Sequence, residues 1–270
     1  MAILTKKLSM GGGHWYTVTG KACHTQPKTK GDGERSTDLR DARKLNLIPS
    51  VTTVLGIFAK PGLERWKMQS VGEVAFDLPR IDGESRKDFG KRCMVKQQAP
   101  VEEAADFGSE VHDAIEKYFE GEPIPDELYT YVKPAFDWKQ EQGLRFIERE
   151  KILVNAEHGF AGMVDIVCVG QNGEKGVIDW KTRKTYEGRK ILPYDFQIHQ
   201  IAAYAATHWG AEAVEKEEVH GANCYISSTE PGRFEPFGYS PTEIAAAWET
   251  FKDACAIWRS LKNYDPRSGA

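Results

Sequence analysis

Apolar and polar positions change rhythm several times along this chain. "HWYTVTG" (14–20) alternates aromatic and β-branched residues with polar ones and predicts a strand; residues 24–45 are polar and charged and predict a mobile loop or insertion. "IPSVTTVLGIF" resumes order. Pro49 and Ser50 predict a turn, with Ser50, Thr52 or Thr53 capping a helix that Leu55, Phe58 and Leu63 continue. Residues 64–100 read as helix with a break near Leu78 to Gly83. In "APVEEAADFGSEVHDAIEKYFEG" (99–121), Val111, Ile115, Tyr118 and Phe119 fall at helical spacing and Gly121 is the stop. A further helix is expected from about Asp126 to Gln142. "RFIEREKILV", "GMVDIVCV" and "GVIDWKT" predict three consecutive strands, "YDFQIHQIAAYAATHWG" (194–210) a helix, "HGANCYIS" a strand, and "TEIAAAWETFKDACAIWRSLKN" (242–263) an amphipathic helix.

The order helix, three meandering strands, helix, strand, helix predicts an α/β fold. Its central sheet, flanked by helices, would be mixed rather than doubly wound and parallel, because short strand-to-strand links make antiparallel neighbours. Residues 1–45 then form an N-terminal strand and polar loop, and 46–270 the main domain with a helical N-terminal extension. No internal repeat or low-complexity tract interrupts this plan.

Composition changes the picture little. The chain has 270 residues, 40% apolar and 28% charged, enough to build a core unaided. No apolar run approaches the roughly 20 residues that cross a bilayer, and "MAILTKKLSMGGG" lacks a secretory leader's pattern, so the expectation is a cytoplasmic protein with no membrane partner. The five cysteines are scattered, odd in number and never in C-x-x-C, which signals neither a disulfide framework nor a zinc or iron–sulfur cluster. Net charge is −4, yet basic residues cluster at 60–67, 86–96 and 181–190. Solvated faces explain the first two; the third adjoins two carboxylates.

Those carboxylates, Asp165 and Asp179, each occupy a position in an otherwise apolar strand. Asp179 and Lys181 leave one face of their strand about 7 Å apart, while Ile178 and Trp180 point into the core. Whether Asp165 meets Asp179 depends on register. A two-residue turn at Asn172 and Gly173 puts Asp165 opposite Trp180, on the wrong face. A three- or five-residue loop centred on Asn172 puts it directly opposite Asp179, with Cβ atoms about 5 Å apart. Two buried carboxylates that close repel, and a divalent cation between them removes the conflict; oxygen ligands suit magnesium or manganese. The odd-numbered loop is therefore the expected one. Such a cation beside an ammonium suits phosphodiester hydrolysis.

"GMVD", fourteen positions to Asp179, and then "DWK" resemble the PD-(D/E)XK nuclease superfamily, with its restriction-endonuclease-like core. "FGSEVHDAIE" looks like the G-x-x-x-H helix of the RecB-like branch and "QIAAY" like its Q-x-x-x-Y motif. "IPSVTTVL" is similar to the opening segment of phage-type and mitochondrial genome maintenance exonucleases. The likeness spans roughly 14–210. It departs at Val164, where the naming proline is replaced, and in lacking the cysteines that hold an iron–sulfur cluster in some relatives, so no such cluster is expected.

The resemblance implies one or two Mg2+ or Mn2+ ions held by His112, Asp165, Asp179 and the Trp180 carbonyl, with Asp165, Asp179 and Lys181 as the catalytic set. Gln200 and Tyr204, sharing a helical face, would orient Lys181 or hold a DNA phosphate, with Gln197 as a fallback on that face. Arg183 joins them as a nucleic-acid contact. From the residues themselves, Ser50, Thr52 and Thr53 read first as helix caps, and Ser50 and Thr52 second as nucleic-acid contacts whose hydroxyls and backbone N–H groups would bind a phosphate. Glu116 either supports a ligand or is merely solvated, and Glu150 either serves a second metal or is structural. Trp66 or Phe107 would stack bases.

The implied activity is a DNA exonuclease on single strands or ends, leaving 5′-phosphates, in a bacterial or phage-infected cell, with roles in recombination or repair and a recombination or replication protein as a partner. Two alternatives stand beside it. One is a flap or junction endonuclease using residues 60–100 as a helical arch; the other is a DNA-binding scaffold without catalysis.

Overall fold

A computed structural model describes residues 13–269. Its centre is a five-stranded mixed sheet in the order β5–β6–β7–β8–β9, built from β5 (Arg145–Asn155), β6 (Phe160–Val169), β7 (Lys175–Arg183), β8 (Val219–Ser227) and β9 (Phe234–Tyr239). The neighbours are antiparallel except β7 and β8, which run parallel. That pair needs a crossover, supplied by α6 (Gln197–Trp209) and the short α7 (Ala211–Glu215). The expected mixed α/β sandwich is the fold of the chain.

Side-chain alternation splits the sheet into two faces. Val167, Val177 and Val219 pack with α6 and with α8 (Pro241–Lys262), whose Ile244, Ala247, Trp248, Phe251, Ala254, Cys255 and Trp258 form an unbroken stripe at helical spacing. Ser240 and Glu243 make a capping box at the start of α8, and Asn263 closes it in the left-handed conformation. On the other face Ile166, Cys168, Ile178 and Trp180 pack against α4 (Arg86–Glu120) and α5 (Asp126–Glu141). Ile178 and Trp180 thus point into the core, as the strand pattern predicts. Four of the five cysteines are buried as free thiols.

The N-terminal region departs from expectation. The predicted strand over 14–20 is reduced to β1 (Trp15–Tyr16), which pairs with β4 (Ile48–Pro49), so Pro49 ends a strand rather than making a turn. The segment expected to be a mobile loop holds a hairpin, β2 (Thr25–Pro27) with β3 (Glu34–Ser36), and helix α1 (Leu39–Leu45). Asp38 caps α1 by accepting the Arg40 and Asp41 N–H groups, while Asp41 reaches back to the Asp38 N–H. Ser50 does cap α2 (Val51–Leu55), but that helix stops at Gly56 instead of running on through Leu63.

The next helix is α3 (Pro61–Asp77), which buries none of its residues. The expected break at 78–83 separates it from α4, in which the helical stretches expected before and after Ala99 are one helix that runs unbroken through Pro100. Proline removes the bond to the Lys96 carbonyl, and Lys96 lies on an exposed stretch where water can take its place. Among the described residues, no helix is long and apolar enough to cross a membrane.

Candidate active site

The β6–β7 connection sets the site. Val169 and Lys175 are the last paired residues, leaving Gly170–Glu174 as a five-residue loop, and Ile166 lies opposite Ile178. Continued by one residue, this register puts Asp165 opposite Asp179, as expected from the carboxylates. Gly173 takes a left-handed φ of 89° in the loop, a conformation that a side chain would strain.

Asp179 is interior, with 2% of its side chain exposed, while Lys181 keeps 30% in solvent; the ammonium sits 2.5 Å from Asp179 Oδ2. Asp165 Oδ2 accepts the Trp180 N–H at 2.7 Å. Burial, and then the facing Asp179, push the Asp165 carboxyl well above the ordinary carboxylate range, against the pull of Lys181. Burial disfavours the Lys181 charge, yet Asp179 and Asp165 outweigh it and hold the ammonium above its usual value. Two carboxylates therefore share one ammonium.

His112 reaches this pair from α4. Burial lowers its pKa, and Lys181 lowers it further; Asp179 and hydrogen bonding to the Trp180 backbone oppose the shift. A neutral imidazole is the metal-binding form. Gly108, one turn earlier, faces Thr182, whose Cβ would lie 3.7 Å from an added Cβ. The G-x-x-x-H stretch thus lies along β7 at the site.

Tyr204 and Gln200 stand on the opposite side. Gln200 Nε2 donates to the Tyr204 hydroxyl at 3.3 Å, and burial raises the Tyr204 pKa so that it stays a phenol. A Cβ on Gly162 would lie 2.8 Å from Tyr204 Oη and Cε1, so the glycine of "GMVD" makes room for the tyrosine of "QIAAY". Two stretches noted separately in the sequence are one packed contact. Gln197 is used differently: its Oε1 accepts the Tyr194 N–H at 2.8 Å and the Tyr225 O–H at 2.5 Å, tying down the start of α6.

Other candidates lie farther out. Ser50 Oγ accepts the Thr53 N–H at 3.0 Å and meets the Thr52 hydroxyl at 3.0 Å, which is the capping reading. Ser50 also bridges to Ala161, next to Gly162. Arg183 donates to the Leu192 carbonyl and the Tyr194 hydroxyl, both at 2.9 Å. Glu116 pairs with Arg149 at 3.5 Å, yet burial pushes its carboxyl up to about 7. Glu150, at a left-handed φ of 43°, is raised by burial and then by Asp113. Phe107, expected to stack bases, instead packs edge-on against Tyr131 in the core beneath α4; Trp66 is exposed on α3.

Sequence reasoning missed Asn223 and Tyr239. Asn223, directly beside Asp179 in the parallel β7–β8 ladder, donates from Nδ2 to Asp179 Oδ2 at 2.8 Å, and Tyr239 donates to Asn223 Oδ1 at 2.8 Å. The tyrosine fixes which end of the amide faces the carboxylate. The available signal was a lone amide in the buried strand "HGANCYIS", the same kind of signal that singled out the aspartates.

The donor set, two carboxylates with an imidazole and a backbone carbonyl beside them, fits a hard divalent cation chemically. Among the described residues, however, no three His, Cys, Asp or Glu side chains converge as a ready cluster. Asp179 Oδ2 is engaged by Lys181 and Asn223, and Asp165 Oδ2 by the Trp180 N–H.

No family model matches this chain, and no curated protein matches it. Among solved structures it is similar to the crystal structure of SSO0001, at 15% identity and a TM-score of 0.28, over 72% of this chain and 87% of that one. That likeness is too loose to carry an argument.

Proposed function

We propose that this chain is a magnesium- or manganese-dependent DNA exonuclease that hydrolyses phosphodiester bonds of single strands or DNA ends and leaves 5′-phosphates. The observation that carries the reading is a pair of electrostatically coupled carboxylates, Asp165 and Asp179, on the neighbouring strands β6 and β7, with the Lys181 ammonium paired to Asp179 as the cation they share. A buried site with that deficit of positive charge favours a second cation. Asp165 and Asp179 would hold it, with His112 and the Trp180 carbonyl completing the set. When bound, the ion polarises a phosphoryl oxygen and lowers the pKa of a coordinated water.

The chain's own groups do the rest. Lys181, reaching solvent from an interior carboxylate, orients the attacking water or stabilises charge gathering on the phosphate. Asn223, locked by Tyr239, fixes the rotamer of Asp179. Tyr204 and Gln200 stiffen the wall of the site at Gly162. A second reading, a flap endonuclease, draws on the exposed α3 and the neighbouring half of α4.

The test is digestion of 5′- and 3′-labelled single-stranded, duplex and flapped DNA with magnesium, manganese or EDTA. Metal-dependent loss of label from one end is expected, falling at least about a hundredfold in Asp179→Asn and Lys181→Ala. Cutting only at the flap junction would favour the second reading. No cleavage of any substrate with either metal would end both.

A further inference from the structure

We propose that the loop between β7 and α6, residues 184–196, is a platform for single-stranded DNA, with unstacked bases lying on Tyr186 and Tyr194 and phosphates meeting Lys184, Arg189 and Lys190. The choice of DNA rests on the nuclease reading; the platform itself rests on the loop.

Three large apolar side chains stand out within nine residues: Tyr186 is 54% exposed, Leu192 66% and Tyr194 62%. Single exposed apolar side chains need no explanation, but three in one short loop beside a candidate site, two of them aromatic, do. Around them Arg183, Lys184, Arg189 and Lys190 outnumber Glu187 and Asp195, in a chain whose net charge is −4. Lys184 and Arg189 lie 5.6 and 5.5 Å from the Tyr186 ring centre, and the Arg183 guanidinium lies 4.3 Å from that of Tyr194. Cations beside aromatic faces are the composition that grips a strand without reading its sequence.

The rings are held out by the fold. Arg233, itself paired with Glu230 at 2.6 Å and Glu235 at 2.5 Å, donates to the Tyr186 carbonyl at 2.9 Å and also to that of Arg189. Thr185 exchanges two bonds with Thr229, N–H to Oγ1 at 3.0 Å and Oγ1 to the carbonyl at 2.9 Å. Ile191 buries its side chain and donates its N–H to Glu235 at 3.2 Å. Arg183 holds Leu192 and Tyr194 from behind. A loop pinned at so many points meets a ligand with little ordering left to do. It also begins three residues after Lys181, so a strand lying on it adjoins the site. Duplex DNA keeps its bases stacked on one another and offers no free face to these rings.

The test is fluorescence anisotropy of the full chain with a labelled strand of about 20 nucleotides, and with an abasic strand of the same length, in EDTA so that no metal-dependent cleavage intervenes. Wild type should bind the base-bearing strand about tenfold or more tighter than the abasic one. Tyr186→Ala with Tyr194→Ala should lose that preference while its thermal melt is unchanged, and Tyr186→Phe with Tyr194→Phe should keep it. Equal binding of both strands by wild type, or an undiminished preference in the alanine variant, would overturn the platform. Cleavage in the end-label assay with either of those results would leave the nuclease and remove the platform; a retained base preference with no cleavage would do the reverse.

Discussion

Helices α3 and α8 both carry large apolar side chains, tryptophan among them, and they fare in opposite ways. In α8, Trp248 is fully buried within a stripe that repeats every three or four residues from Ile244 to Trp258. In α3, Leu63, Trp66, Met68 and Phe76 share no single face, none is buried, and Phe76 is 91% exposed. Helix α4 repeats the contrast within itself: Val111, Ala114 and Ile115 enter the core, while before them only Cys93 is buried. Helical content alone does not locate stability; a continuous apolar stripe does. The sheet with α6 and α8 holds the fold, and the α3–α4 hairpin stands beside it.

The largest effect that would break this contrast is at Trp248. Trp248→Ala should cost about 3–5 kcal/mol in chemical denaturation, because the stripe cannot close around the lost ring. A loss below about 1 kcal/mol would mean that the body is not the seat of stability. A middle-sized effect is expected where α4 meets the body, at Glu116. Its carboxyl keeps its proton to about 7 in the folded chain, against 4.5 ordinarily. Between those values the folded state binds more protons than the unfolded, so stability falls as pH rises and the penalty is complete above about pH 7. Glu116→Gln should match wild type below about pH 4 and gain about 1–3 kcal/mol above about pH 8, the lost pairing with Arg149 trimming the gain. A difference independent of pH would sink that account. The smallest effect is at Trp66, where Trp66→Ala should stay within about 0.5 kcal/mol of wild type; a larger loss would show the hairpin to be packed.

The sheet register was legible because it had to satisfy two local demands at once, apolar positions inward and the two aspartates on a common face. The Ser50 cap and the left-handed stop at Gly121 were legible for the same reason, being set by neighbours in sequence. Strand β9 was not: "RFEPFGY" contains Pro236 and Gly238, which read as loop, yet a strand at the edge of a sheet tolerates both. The hairpin and helix within 24–45 hid behind a polar composition, although the Asp38 and Asp41 pair is a capping box in plain view. Within the candidate site, Asp165, Asp179 and Lys181 could be placed from one hairpin. Asn223 and Tyr239 could not, since nothing local says that β8 will lie parallel to β7 across 35 intervening residues, Lys184 to Glu218.

That same crossover has a consequence for the order in which the protein comes into being. The β6–β7 hairpin closes over a few residues and can form as soon as both strands exist, whereas the bond from Asn223 to Asp179 spans 44 positions. On a ribosome, the two aspartates and the lysine are made well before the amide that steadies them, and Tyr239 follows later still. Until β8 docks, Asp179 stands on an open sheet edge in contact with water. The arrangement of this site is therefore a late product of folding, completed only once the chain has been synthesised through Tyr239, 60 residues beyond Asp179.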